Sequence, residues 1–278
     1  MAMTERKRGE MTLPGLCEQI SLQEDVKAAV LDFAAGFDFS GVEGPLGDFR
    51  QFEKMKQARR RLEEILGPDE DHIKMLACML KGSADAYALY QEKGISDQVY
   101  FDTMGCYTRF MAESRRSTGR LCFDRSWWTP RQVGCHLFRI GQLEYEIVPL
   151  ETGAVVELHI PSDADLSPEQ VDRSLEMAES FFREHYPPLE RAEYRCHSWL
   201  LDEQLREMLG AGSNILDFQT RFEILDRGGV DTEFIEWLFQ TKSTDLDSLP
   251  ENTSLQRNMK RHLLSGGQIH TAFGRLIK

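Results

Sequence analysis

Apolar positions in residues 1–118 recur every three or four residues, the period of helices packed on one face. Val26, Val30, Leu31 and Phe33-Ala34 form one such face, preceded by Ser21-Leu22-Gln23-Glu24, a capping-box pattern. Phe49, Phe52, Met55, Leu62, Ile65 and Leu66 predict a second helix, stopped at Gly67-Pro68. A third is expected over about 70–92, carrying Ile73, Leu76, Leu80, Ala84 and Tyr87. Ser96 reads as the N-cap of a fourth, with Val99, Tyr100, Thr103, Met104, Tyr107, Phe110 and Met111 at helical spacing.

From Gly119 the period changes to two. Residues 135–140 and 143–150 flank Gly141-Gln142 and predict a β-hairpin, with Leu143, Tyr145 and Ile147 on one face. A third strand is expected over 153–160. Ser167-Pro168-Glu169-Gln170 repeats the capping-box pattern with Pro at N1 and opens a helix that Pro187-Pro188 ends. Strands over 194–201 and 214–225, a short helix over 202–209, helices near 232–239 and 253–264, and a closing strand over 268–277 complete the order. Consecutive antiparallel strands followed by a strand–helix–strand crossover require a mixed sheet. The expected class is α+β, an all-helical domain over 1–118 followed by a mixed α/β domain over 119–278.

Composition narrows the function classes. The chain has 278 residues and carries 33 Lys+Arg against 46 Asp+Glu, a net charge of −13. This disfavours nucleic acid and anionic membranes as partners, since both are bound by cationic surface. No apolar run reaches 18 residues, and the basic N-terminus is not followed by an apolar stretch, so neither a membrane span nor a signal peptide is expected. The six cysteines form no CxxC pair. They read as reduced thiols of a cytoplasmic protein.

Three longer segments carry a family resemblance. Trp127-Trp128-Thr129-Pro130-Arg131-Gln132 with the following 137–145, Cys196-His197-Ser198-Trp199-Leu200-Leu201, and Ser213-Asn214-Ile215-Leu216-Asp217-Phe218-Gln219 resemble a bacterial family of acyltransferase-domain proteins. That family joins a helical N-acyltransferase N-terminal domain to a GNAT-like C-terminal domain. The resemblance implies transfer of an acyl group from acyl-coenzyme A to an amine or similar nucleophile. It also implies a splayed parallel strand pair, here 155–160 and 194–201, with the thioester in the gap. On that reading the backbone of Val156, Leu158 and Ile160 holds the donor and the loop 161–170, with Ser167, its pyrophosphate; Asn214 and Arg221, expected on the strand over 214–225, are further candidates, Arg221 for a phosphate or a substrate carboxylate. The corresponding loop departs from the family pattern: residues 161–168 hold Asp163 and Asp165 and no glycine. A catalytically inactive GNAT-fold binding or regulatory module is therefore the alternative.

Glu157 and His159, two apart on one strand, share a face, and His197 lies on the neighbouring strand of the proposed pair. Glu157 or His159 is the candidate general base, with His197 or Ser198 near the departing thiolate. Cys196 and His197 are adjacent in a strand and so face opposite sides, which argues against a Cys–His nucleophile pair. The histidines show no close metal-ligand spacing, and none of these residues is assigned to a metal. The acceptor is either a small-molecule amine or one the sequence does not identify; oligomeric state is left open.

Overall fold

The computed structural model describes residues 10–277. They divide into two compact units: residues 10–115 with 120–139, and residues 116–119 with 140–277.

The first unit is helical: α1 (Leu13–Gln19), α2 (Glu24–Gly36), α3 (Glu43–Asp48), α4 (Met55–Leu66), α5 (Ile73–Glu92), α6 (Asp97–Met104), most of α7 (Cys106–Thr118) and the single turn α8 (Pro130–Val133). α5 is its axis, and α1–α4, α6 and α8 all pack against it. Eleven of its twenty residues are buried, Met75 to Leu80 without a break, because neighbouring helices pack around its first turns. Its polar groups are paired: Tyr100 Oη donates to Ser83 O at 2.8 Å, and Tyr90 Oη to Gln132 O at 3.0 Å.

Several expectations for this half are corrected. The long fourth helix is two, broken at Gly105. Ser21 caps nothing; it sits at φ +52° and α2 starts three residues later without a side-chain cap. Two-residue periodicity begins only after α8, a helix the reading did not anticipate.

The second unit is built on a sheet whose order among the described residues is β1-β2-β3-β4-β6-β5. The strands are β1 (Leu137–Ile140, at the boundary of the units), β2 (Leu143–Pro149), β3 (Ala154–His159), β4 (Tyr194–Ser198), β5 (Phe222–Val230) and β6 (His270–Leu276). β3 and β4 are parallel, joined through α9 (Pro168–His185), while β2–β3, β4–β6 and β5–β6 are antiparallel. This is the mixed sheet expected from the element order.

α9 packs on β2 through Val171, Ser174, Ala178, Phe181 and Phe182, a stripe at helical spacing. Phe182 lies edge-on to both Tyr145 and Tyr194, at 6.4 and 6.0 Å. The predicted hairpin turn is present, with Gly141 at φ +64°. A Cβ there would also come within 3.0 Å of Ser174 Oγ, so the turn needs glycine on both counts. Pro168 does open α9, but Ser167 makes no side-chain cap bond, and that capping box is not formed.

The remaining helices are α10 (Leu205–Met208), α11 (Asn214–Gln219), α12 (Phe234–Phe239) and α13 (Ser254–Leu264). Residues 214–225 are therefore not one strand. Ser213 accepts from Ile215 N–H and starts a helix, and β5 begins only at Phe222. A real capping box forms at Thr253 and Gln256, at the start of α13. Leu205, Met208, Phe234, Phe239, Leu249, Met259 and Ile269 make a small second core in which Trp199 packs.

Candidate active site

The register of the sheet places one row of charge across five strands. Glu146 lies opposite Glu157, Glu157 opposite Arg195, Arg195 opposite Arg275, and Arg275 opposite Glu223. Side chains in register share a face. The opposite face carries Tyr145, Val156, Leu158, Tyr194 and Cys196, all buried on the α9 side. Arg195 is ion-paired with Glu193, Arg275 with Glu223, and the Arg195 guanidinium lies 5.6 Å from the centre of the Phe273 ring.

The next row holds the histidines. His159 pairs with Glu144 on β2, and His197 with Phe273 on β6. Between them the sheet opens: the β3–β4 register runs from Val156/Tyr194 through Glu157/Arg195 to Leu158/Cys196 and ends there. β4 stays paired to β6 through Ser198/Ala272, so the two strands part only from one another. Val156 N–H donates to Glu193 O at 3.0 Å and points toward β4. By the two-residue alternation Leu158 and Ile160 direct their backbone groups the same way, and Ile160 lies past the paired stretch.

Local structure holds this opening in place. After Ser198 the chain makes a tight turn over Trp199–Leu201, in which the Ser198 hydroxyl accepts from Leu200 N–H at 3.1 Å. Gln219 Nε2 pins that turn by donating to Leu200 O at 2.9 Å and Asp202 O at 3.0 Å. The fully buried Asp202 carboxylate accepts from His270 N–H at 2.7 Å and ties the exit of β4 to the start of β6.

The candidates separate by environment. His159 Nε2 lies 2.9 Å from Oε2 of Glu146, whose side chain is 4% exposed. Glu146, Glu157 and His159 bring one ligand-type atom each to within 4.8 Å of one another. Glu146 was not singled out from the sequence, although it sits two residues from Glu144 in an alternating strand and directly faces Glu157. His197 is exposed, tilted against Phe273 at 6.3 Å, and forms no hydrogen bond or ion pair among the described residues. Cys196, one residue earlier, is fully buried on the other face, and burial pushes its thiol far above the ordinary range. The two cannot act as a nucleophile–base pair, as the alternation predicted.

The phosphate-side candidates sit differently from expectation. Asn214 opens α11 and Arg221 precedes β5, so neither lies on a strand. Arg221 lies between α11 and β5. It donates to Asp172 Oδ1 at 2.8 and 3.1 Å, to Asp217 O at 3.0 Å, and to the Asp217 carboxylate. Ser167 is at the α9 N-cap, and its N–H donates to Asp165 Oδ1 at 2.9 Å.

A helical unit followed by a mixed sheet with a parallel β–α–β crossover that splays beyond its paired stretch defines a GNAT-like protein with a helical N-terminal partner domain. Residues 137–276 match the GNAT-like C-terminal domain family and residues 11–135 the N-acyltransferase N-terminal domain family, and the chain belongs to this two-domain family. No curated protein matches the chain. Among solved structures it is similar to an acyltransferase in complex with decanoyl-CoA and teicoplanin, at 23% identity and a TM-score of 0.79, over 99% of this chain and 90% of that one. An acyltransferase complex with CoA and 10C-teicoplanin gives the same values. A complex with decanoyl-CoA follows at 21% identity and 0.78, over 98% and 90%. At these identities the likeness is one of fold.

Proposed function

We propose that the chain is an acyl-CoA-dependent N-acyltransferase that passes an acyl group directly from the donor thioester to an amine of a small molecule. The supporting observation is the parting of β3 and β4 after Leu158 and Cys196, with His159 and Ile160 on one lip and His197 and Ser198 on the other. A thioester arm in that opening meets β4-side backbone groups of Ile160. The carbonyl carbon then lies between groups able to take and give protons.

The amine nitrogen attacks the thioester carbon, the C–N bond forms, the C–S bond breaks, and the nitrogen loses a proton. His197 is favoured as its acceptor, because its exposed imidazole makes no hydrogen bond or ion pair among the described residues and so leaves a ring nitrogen open to the amine. Glu157 or His159 provides a second route through a water, His159 being held by Glu146. Ser198 Oγ accepts from Leu200 N–H and keeps its O–H to donate a hydrogen bond to the departing thiolate, which takes its proton from the protonated base.

Solved relatives hold decanoyl-CoA, so decanoyl-CoA with a panel of small amines is the first assay. His197→Ala is expected to lose about 10²–10⁴ in turnover, the range for a positioned base, with unchanged thermal stability. Unchanged turnover in His197→Ala moves the base to Glu157 or His159. Unchanged turnover in His197→Ala, Glu157→Gln and His159→Ala alike ends the assignment.

A further inference from the structure

The loop over 161–167 joins the parting lip of β3 to the start of α9. A helix start turns N–H donors and the positive end of its dipole outward, and an oxyanion is their usual occupant. Here the N-cap donor of α9 is already engaged, and the loop leading into it is tied by further bonds. Ser167 N–H donates to Asp165 Oδ1 at 2.9 Å and Asp165 N–H to Gln142 Oε1 at 3.0 Å. Ala164 N–H donates to Pro161 O, and Gln170 and Val171 N–H both turn to Ser167 O, each at 3.0 Å. Pro168, at N1, has no N–H to offer. Beside the first turn, Arg221 donates to Pro168 O at 3.4 Å while two carboxylates, Asp172 and Asp217, neutralise its charge. The Asp165 carboxylate therefore holds the Ser167 N–H that a phosphate oxygen would otherwise find free, and the neighbouring guanidinium is committed.

We infer that Asp165 is a specificity-determining residue that sets this site against the diphosphate end of the donor. Recognition then rests on the thioester and its pantetheine arm, and an acyl-pantetheine serves about as well as the corresponding acyl-CoA. The inference rests on the acyl-transfer reading above. Its physical cause is repulsion between the carboxylate and a diphosphate competing for one set of donors. Asp165→Asn removes the charge and keeps a side-chain oxygen for Ser167 N–H, so the turn is retained.

Calorimetric titration of the full chain with decanoyl-CoA and with decanoyl-pantetheine tests this. In the wild-type chain the two Kd values are expected within about threefold, whereas Asp165→Asn tightens decanoyl-CoA about fivefold and leaves decanoyl-pantetheine unchanged, the size of one partly solvated charge contact. The wild-type comparison stands whether or not the variant folds. A wild-type preference for decanoyl-CoA of about thirtyfold or more, roughly 2 kcal/mol, would overturn the inference alone. So would a variant that shifts both donors equally. If neither donor binds the wild-type chain or the variant, the acyl-transfer reading falls, and the inference with it.

Discussion

The two faces of the sheet in the second unit are made from the same strands and serve opposite ends. On the α9 side, Tyr145, Val156, Leu158, Tyr194 and Cys196 are buried, and their ionisable members are held neutral: burial raises the Tyr145 and Tyr194 phenols and the Cys196 thiol. On the other side, the same strands present Glu146, Glu157, Arg195, Arg275 and Glu223 in one row and His159 and His197 in the next. A strand alternates faces with a period of two, so one short segment such as Tyr194–Ser198 can anchor the fold and offer an imidazole at once. Apolar burial stabilises one face, while the other gathers the charged and imidazole side chains.

That contrast can be broken at graded cost. The largest loss of stability is expected on the buried face. Phe182→Ala should cost about 3–5 kcal/mol, read as a lower urea midpoint at unchanged slope. On the polar face His197→Ala should remove turnover while leaving the midpoint in place, so a matching stability loss would blur the division of labour. Tyr145→Phe should cost about 1 kcal/mol, because its hydroxyl meets Ser174 Oγ at 3.1 Å in the core. The exposed pair Arg275–Glu223 should contribute least, about 0–1 kcal/mol by a double-mutant cycle.

Titration sharpens the same contrast. Burial raises the Cys17 thiol to about 11 and the Cys78 thiol to about 12. A raised thiol pKa means that the folded state keeps protons which the unfolded state releases. The associated stability is therefore complete below the unfolded thiol's ordinary range and declines as pH rises toward these values. Unfolding free energy should fall between about pH 9 and 11 by chemical denaturation, and less steeply in Cys17→Ala measured against its own neutral-pH value. In the native chain at pH 8, a thiol reagent should modify the half-buried Cys122 first, since the other five thiols are buried.

The misreadings have common physical causes. Ser21 and Ser167 both begin capping-box patterns, yet neither side chain caps a helix. The pattern names two residue types and leaves the backbone angles open. Ser21 adopts φ +52°, and at Ser167 an aspartate two residues earlier takes the N–H. Residues 214–225 look strand-like because Ile215, Phe218, Phe222 and Ile224 also satisfy a mixed spacing; the cap at Ser213 decides for helix in the first half. Legible without coordinates were the hairpin at Gly141, the crossover helix opened by Pro168, and the opposite facing of Cys196 and His197. Glu146 was not legible as a site residue, because its meeting with Glu157 and His159 depends on the β2–β3 register.

The sequence by itself determined the local order of the chain: helices first, then a hairpin, a crossover and a mixed sheet, with alternation assigning each strand residue to a face. Those properties follow from periods of 3.6 and 2 and from turn chemistry, which act over a few residues. Only the tertiary structure decided where β3 and β4 stop pairing, which carboxylate holds His159, and that Asp165 takes the Ser167 N–H at the start of α9. Each of these is a meeting of groups far apart in the chain or a competition for one hydrogen bond, and its outcome is set by register and packing.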